Sequence, residues 1–322
     1  METKNYHITF LRTMAILVVM FGHSIIIYDP NWGLFASVRS SHFLFIVKQI
    51  INIIQMPIWF AISGYLYYYS LIRRKSFFHI ASRKFLKILI PFFMIGLFYL
   101  FPIRYFIGYS NYVNHSLLYN IVHHLLLGFD NGHLWYLPTL FFLFLIFYFY
   151  PCKCSKGWDL FFLILLFFCN CFSFHFRSYL MHIFQNSLLF FLGIILRKYK
   201  VKQVFHFSYY FLFLFIVLLF YYYRPVGTLY SFMLAEIQCI YVVGLFHLNF
   251  DFFKKFAIIE KISINSYGMY LFHSPLVYLT FHFFPNIHPI FMIFINLIFF
   301  GVLSYFLTSV LRHTKLRFLI GL

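Results

Sequence analysis

The chain has 322 residues, of which 63% are hydrophobic, 26% aromatic and only 10% charged. A soluble domain carries roughly 25% charged residues, so this composition excludes a soluble, disordered or secreted protein. A mean hydropathy of +0.85 predicts an all-α polytopic membrane protein instead. The 25 Lys and Arg residues outnumber the 7 Asp and Glu residues. In a membrane protein an excess of Lys and Arg indicates which loops are cytoplasmic. It is therefore not taken as a sign of a nucleic-acid partner, and none is expected.

Ten segments are apolar enough to be membrane spans, which need about 20 residues each. Segment 115–127 is amphipathic, carries three histidines, and is predicted to lie in the membrane interface. The first apolar run contains Arg12 and His23 and lacks a small-residue cleavage site, so it is predicted to be a span rather than a signal peptide. The predicted spans are 8–28, 43–71, 88–107, 134–150, 159–174, 183–196, 207–223, 228–249, 264–283 and 290–311.

The distribution of Lys and Arg predicts the orientation of these spans. With a cytoplasmic N-terminus, twenty of the 25 basic residues fall on the inner side, which favours ten spans and two cytoplasmic termini. No linker or soluble domain interrupts the chain, so residues 1–322 are predicted to form one membrane-embedded domain. The five basic residues on the outer side are Arg39, Lys48, Arg104, Arg177 and Arg224.

The five cysteines do not form a recognisable disulfide or metal pattern. Their number is odd, and neither Cys-x-Cys pair has the neighbouring ligands that a closed zinc site needs. Reduced thiols and no bound metal are therefore expected. The cysteines are Cys152, Cys154, Cys169, Cys171 and Cys239.

Ionisable residues within a span are costly and often functional, and the first span contains two. Arg12 and His23 are eleven residues apart, so they lie on one helix face about 16 Å apart along the axis. This stripe is predicted to line a cavity or a polar seam. The structural alternative is that Arg12 extends to the inner interface and His23 is a hydrogen-bonded core histidine.

The second span is followed by the most basic segment of the chain. Pro57 is expected to kink this span, and Ser63 and Gly64 form a small pair that favours close helix packing. The basic segment suits either the phosphates of a multiply phosphorylated ligand or anionic lipid headgroups. The candidate phosphate-binding residues are Arg73, Arg74, Lys75, Arg83, Lys84 and Lys87.

Polar and aromatic residues mark three later spans. His133 precedes the fourth span, where Trp135 and Tyr136 are expected to form an aromatic belt at the interface. Glu236 lies in the eighth span and is expected to face an interior seam. In the ninth span His273 follows Tyr270 and precedes Pro275. The His273 imidazole is expected either to act in the chemistry or to bond a carbonyl that Pro275 frees.

These motifs in order resemble the acyltransferase-3 family of integral membrane O-acyltransferases. The resemblance rests on the Arg12…His23 pair, the FAISGYLY stretch around Ser63, the basic segment, HLWYLP from His133 and SYGMYLFHSP through His273. It implies transfer of an acyl group, often acetyl, from acyl-coenzyme A to a sugar hydroxyl of a surface polysaccharide such as O-antigen. It also implies a bacterial inner membrane and no permanently bound cofactor. Without a fused hydrolase-like domain, the chain is expected to act alone.

For acyl transfer, His23 and Arg12 are the predicted catalytic residues. The His23 imidazole titrates near neutral pH, so it suits either a general base or a nucleophile that forms an acyl-imidazole. The alternative function is a polysaccharide-repeat flippase, a polymerase or another transporter, but intramembrane charge is concentrated in one span. The supporting candidates are Ser63, His133, Trp135, Tyr136, Glu236, Tyr270 and His273.

Overall fold

The structure is a computed structural model that describes residues 6–30, 32, 41–73, 75–200, 227–248 and 250–322. In these residues every regular element is a helix and there is no strand, which confirms the all-α prediction. Apolar helices satisfy their own backbone hydrogen bonds, as a bilayer demands. The predicted seventh span, 207–223, and the phosphate-binding candidate Arg74 lie outside the described residues.

The described residues form eleven main helices, numbered here in chain order. Helices α4 and α11 each contain wide π-helical turns, and α6 begins and ends in 3-10 turns. The helices are α1 (Tyr6–Ser24), α2 (His42–Ile54), α3 (Pro57–Ile72), α4 (Phe77–Phe106), α5 (Leu117–Leu126), α6 (Gly132–Phe149), α7 (Lys156–Cys171), α8 (Ser178–Lys198), α9 (Gly227–His247), α10 (Ala257–Phe283) and α11 (Pro289–Arg312).

Within the described ranges, seven helical segments are long and apolar enough to cross a membrane when α2 and α3 count as one. The protein is thus an integral, multi-pass membrane protein. Helix α7 has 16 residues and is shorter than these seven. Helix α10 has 27 residues, but polar residues such as Asn265 and Ser266 make it less apolar. The count of ten spans and the side of the termini stay predictions.

The expected break at Pro57 is confirmed. Helix α2 ends at Ile54, a turn follows at Gln55 and Met56, and Pro57 is the first residue of α3. Proline suits a first helical turn because its missing N–H has no intrahelical partner there. The second predicted span is therefore two helices joined by a tight turn.

The chain divides into two compact units, and one domain over 1–322 stays a prediction. The first unit comprises Met1–Arg12, Ile53–Ser82 and Thr139–Ile259. In it, a Cβ on Gly64 would overlap the backbone of Phe190, and one on Gly193 would overlap the carbonyl of Ala61. Helices α3 and α8 pack backbone to backbone at these glycines. The packing interpretation is confirmed for Gly64.

A polar cluster around the buried Asp159 carboxylate joins α7 to α8 in the first unit. The Asp159 carboxylate accepts hydrogen bonds from Lys198 Nζ at 2.6 Å, from the hydroxyls of Tyr150 and Tyr199, and from the Cys154 thiol at 2.9 Å. Lys198 Nζ also donates to the Cys154 carbonyl at 3.1 Å. Every charged atom of this cluster has a partner, as buried ions require.

The second unit comprises Thr13–Asn52, Arg83–Pro138 and Glu260–Leu322. Its apolar core joins the end of α1 to faces of α2 and α10. Ile25 lies in this core with Leu44 and Ile51 from α2 and Val277 and Phe281 from α10. The residues on each helix are four or seven apart, so each helix contributes one face. This core holds the end of α1, and therefore His23, beside α10.

Candidate active site

Two histidines from distant parts of the second unit form a direct hydrogen bond. The Nδ1 atom of His23 lies 2.8 Å from the Nε2 atom of His273. The two rings are stacked, with centroids 5.0 Å apart and planes inclined by 10°. His23 is half-buried at the end of α1, and His273 is fully buried in α10. The structure thus brings together two residues that are 250 positions apart.

The backbone determines which histidine donates in this bond. His273 Nδ1 lies 2.9 Å from the carbonyl oxygen of Met269, and a carbonyl only accepts, so Nδ1 carries the proton. In a neutral ring Nε2 is then the acceptor, and His23 Nδ1–H donates to it. A neutral His23 consequently has its lone pair on Nε2. This tautomer, assigned from the hydrogen-bond network, is the one that a general base or nucleophile needs.

His133 bonds the carbonyl that Pro275 frees. Proline has no N–H, so the carbonyl four residues earlier, that of Leu271, lacks its usual helical partner. His133 Nε2 lies 3.1 Å from this oxygen and donates to it. The structural alternative for His273, a bond to the carbonyl that Pro275 frees, is wrong, because His273 bonds the carbonyl of Met269 instead. The helix distortion at Pro275 therefore positions His133.

The remaining nitrogen of His133 is a buried acceptor. With Nε2 protonated, neutral His133 has its lone pair on Nδ1, which has no hydrogen-bond partner in the part of the chain that the structure describes. The His133 ring centroid lies 6.5 Å from that of His23 and 5.8 Å from that of His273. The three imidazoles therefore form one cluster, which we call the histidine cluster.

Two buried tyrosines support the histidine cluster. The Tyr270 hydroxyl donates to the carbonyl of His133, and the two rings lie 5.3 Å apart. Tyr136 packs edge-on against Tyr270 at 5.6 Å and is only 4% exposed. Its predicted place in an interfacial aromatic belt is wrong, because its ring fills the interior beside Tyr270. Trp135 is half-buried, and its role stays a prediction.

A buried ion pair holds the loop that leads to His133. Arg104 Nη1 donates to the Asp130 carboxylate at 2.7 Å and to its carbonyl at 2.9 Å. The same carboxylate accepts from Tyr109 at 2.9 Å and from Asn111 at 3.1 Å, and Tyr112 donates to the carbonyl at 2.7 Å. Burial opposes ionisation of the Asp130 carboxyl, but Arg104, Asn111 and Tyr109 hold its pKa below the usual value.

Gly132 is required between this ion pair and His133. Its φ of +57° lies in the left-handed region, where side chains are strained. A Cβ there would lie 2.8 Å from Arg104 Nη2. The Arg104 guanidinium is itself enclosed by the rings of Tyr109 and Tyr112, whose centroids are 5.0 and 4.8 Å away. The glycine lets the chain turn tightly over Arg104 at the start of α6, directly before His133.

Sequence reasoning treated Lys48 and Arg104 only as outer-side topology signals and did not predict their burial. Both are buried within the helices, at 2% and 1% exposure. The burial of Lys48 could have been predicted from its position between Leu44 and Ile51, which places it on the apolar face of its helix.

Three predicted site residues belong to the first unit. Arg12 and Ser63 are half-buried there, and their catalytic and supporting roles stay predictions. Glu236 is exposed on α9, whereas Ala235 and Ile237 are buried. The expectation that Glu236 faces an interior seam is wrong, because its two neighbours in the helix are packed against protein and Glu236 is not.

The residues of the basic segment are divided between the two units, and most of them are exposed. Arg73 and Lys75 are exposed in the first unit, and Lys75 Nζ lies 3.4 Å from His79 Nε2. Arg83 and Lys87 are exposed in the second unit, and Lys84 is half-buried. Phosphate binding by these residues stays a prediction.

The profile of the acyltransferase domain family matches residues 5–313 of the chain. Searches among curated proteins and solved structures gave no significant match. The matched range includes all three members of the histidine cluster, and the family favours an enzyme over the flippase, polymerase and transporter alternatives. The chain belongs to the acyltransferase-3 family and is an integral membrane acyltransferase.

Proposed function

We propose that the protein transfers an acetyl group from acetyl-coenzyme A to a sugar hydroxyl of a cell-surface polysaccharide such as O-antigen, in a bacterial inner membrane. The observation that carries the chemistry is the 2.8 Å hydrogen bond from His23 Nδ1 to His273 Nε2. Its direction leaves the Nε2 lone pair of His23 for the reaction. The donor and acceptor classes follow from the family rather than from the geometry.

The histidine cluster supports two routes, and both use the same lone pair. In the first, His23 Nε2 takes the proton of the sugar hydroxyl as its oxygen attacks the thioester carbonyl, and later returns that proton to the leaving thiolate. In the second, Nε2 attacks the thioester itself, and the sugar hydroxyl then takes the acyl group from the imidazole. In either route His273 keeps His23 oriented by accepting from Nδ1–H.

The proposed donor site uses the cationic residues at the start of α4. Arg83 and Lys87 are exposed, and Lys84 is half-buried beside them. Guanidinium and ammonium groups bind phosphate strongly, and coenzyme A carries several phosphates. Neutralising Arg83 and Lys87 together is expected to raise the KM for acetyl-coenzyme A with little change in kcat. An unchanged KM would contradict binding of the donor phosphates by these residues.

The proposed acceptor site lies beside His133. In this proposal a sugar hydroxyl donates to His133 Nδ1, which is buried without a hydrogen-bond partner among the described residues, and the half-buried Trp135 packs against the sugar ring. Membrane fractionation tests the proposed location: the protein should be recovered with inner-membrane markers.

The decisive experiment compares wild type with His23→Ala in inside-out bacterial membrane vesicles supplied with radiolabelled acetyl-coenzyme A. His282→Ala is the matched control, because His282 is an exposed histidine near the end of α10. We expect wild type and the control to label glycan or lipid-linked glycan, and His23→Ala to lose at least 100-fold in rate. Protein levels are equalised by immunoblot.

Each outcome decides a different part of the proposal. Equal labelling by His23→Ala and wild type would remove His23 from the chemistry. Wild-type labelling no higher than that of vesicles without the protein would contradict the proposed donor or acceptor. Labelled protein trapped in wild type without acceptor, and absent in His23→Ala, would select the acyl-imidazole route over the general-base route.

A further inference from the structure

Lys48 is a buried cation whose helix face is otherwise apolar. Its side chain is only 2% exposed, and it belongs to α2. Leu44 and Ile51, four residues before and three residues after it, lie on the same helix face and are buried in the core of the second unit. An extended lysine that only marked topology would have its ammonium group in water. Lys48 instead lies within the protein.

The face that carries Lys48 packs beside the histidine cluster. Leu44 and Ile51 share one apolar core with Ile25, two residues after His23. The same core contains Val277, which is one helical turn after His273 on α10. Lys48 thus lies on the face of α2 that packs against residues close in sequence to both histidines of the pair. Its charge acts electrostatically on His23, which agrees with this placement.

Lys48 has no hydrogen bond or ion pair within the described ranges of the chain. The Asp29 carboxylate is an opposite charge that acts on it, but this carboxylate accepts a hydrogen bond from Gln49 at 2.9 Å and forms no ion pair with Lys48. Burying a cation without a close partner costs free energy, so a role in the resting fold alone does not explain Lys48. An anion that forms beside it during turnover would supply the missing partner.

We propose that Lys48 stabilises the negative charge that develops on the acyl carbonyl oxygen during transfer. This inference rests on the proposed acyl transfer at His23. The acceptor oxygen bonds to the carbonyl carbon, its proton passes to His23 Nε2, and the carbonyl π pair moves onto oxygen beside the Lys48 ammonium. When the pair returns, the carbon–sulfur bond breaks and the thiolate takes the proton from His23. The products are an ester and free thiol.

A fixed cation in a site shielded from water is effective because it needs no reorganisation when the oxyanion forms. The competing source of negative charge is a carboxylate or phosphate that the acceptor carries in its ground state. The two sources differ in kinetics. Oxyanion stabilisation acts only in the transition state and affects kcat, whereas binding a ground-state anion affects KM.

The test uses the full-length protein with Lys48→Met, which matches the length of the side chain without its charge, and Lys48→Gln as a second variant. Lys315→Met is the control, because Lys315 is an exposed lysine in the same unit. Labelled acetyl transfer in vesicles gives kcat and KM for the acceptor fraction. We expect both Lys48 variants to lose about 100-fold in kcat, the usual effect of removing one oxyanion donor, with little change in KM.

The apparent melting temperature of the purified protein gives an independent readout. Because Lys48 has no close partner, Lys48→Met should melt no lower than wild type, whereas a structural lysine would leave a less stable variant. A raised acceptor KM with unchanged kcat, an unchanged rate, or a clearly lowered melting temperature in both variants would each overturn the proposal. No transfer by the wild type would overturn the proposed function and this inference together.

Discussion

The two units each bury a polar cluster, and the clusters differ in how completely their atoms are paired. In the first unit the Asp159 carboxylate accepts from Lys198, two tyrosine hydroxyls and a thiol, so both charges are neutralised. In the second unit His23 Nε2 and His133 Nδ1 have no hydrogen-bond partner among the described residues, and Lys48 has no ion pair there.

This difference separates groups that stabilise the fold from groups prepared for chemistry. A closed buried network adds stability because each desolvated atom regains a hydrogen bond. An open cluster costs stability in the resting protein and is explained when a substrate supplies the missing partners. We therefore expect substitutions in the first cluster to change stability and those in the second to change rate.

The largest expected effect is on stability, in the first unit. Asp159→Asn removes the charge that neutralises Lys198, whose side chain is only 10% exposed. Breaking a buried ion pair typically costs about 3–5 kcal/mol of unfolding free energy. Equilibrium unfolding in detergent measures this loss, and acetyl transfer per folded molecule should stay unchanged. If Asp159→Asn kept the stability of the wild type but lost its transfer rate, the first cluster would serve the chemistry and the comparison between the units would be wrong.

The next effect is on rate, in the second unit. His273→Met removes the acceptor that holds His23 in its Nδ1–H tautomer, and a fall in kcat of about 100-fold is expected from the loss of a positioned base. His273→Gln keeps an acceptor oxygen near the same place and should recover about tenfold of that loss. Equal rates in the two variants would show that the hydrogen bond to His23 has no part in positioning it.

A smaller effect is expected at the proline of α10. Pro275→Ala restores a backbone N–H that competes with His133 for the Leu271 carbonyl. Helix stability should not fall, but His133 loses its fixed orientation, so kcat should drop by up to about tenfold while the melting temperature holds or rises. Combining Pro275→Ala with His133→Ala tests this directly, because the proline substitution should have no further effect once His133 is absent.

The smallest effect is confined to acid pH and concerns Asp130. Its pKa in the folded protein is lowered despite burial, because Arg104, Asn111 and Tyr109 stabilise the carboxylate. The ion pair therefore contributes fully above the unfolded pKa of about 3.9, and the contribution is lost as the pH falls through the lower folded value. Melting temperature measured against pH should fall there in wild type and be flatter in Asp130→Asn.

The sequence by itself determined the membrane class, most helices and the leading histidines. Long apolar runs can only be buried in lipid or protein as helices, so composition and segment length suffice for the fold class. His23 and His273 were found because an ionisable group in such a run is costly and therefore noticeable. Close helix packing at Gly64 was predictable in the same way, since helices can approach closely only where small residues lie between them.

Only the tertiary structure decided how these residues are used. Helical periodicity places residues on a shared face but does not say which face meets protein, so Glu236 was expected inside and Tyr136 at the interface, and both were wrong. Lys48 was counted as a topology signal because its burial depends on packing against distant helices. The tautomer of His23 depends on Met269 through His273, two partners about 250 residues away in the chain. Such long-range hydrogen bonds leave no local pattern in the sequence.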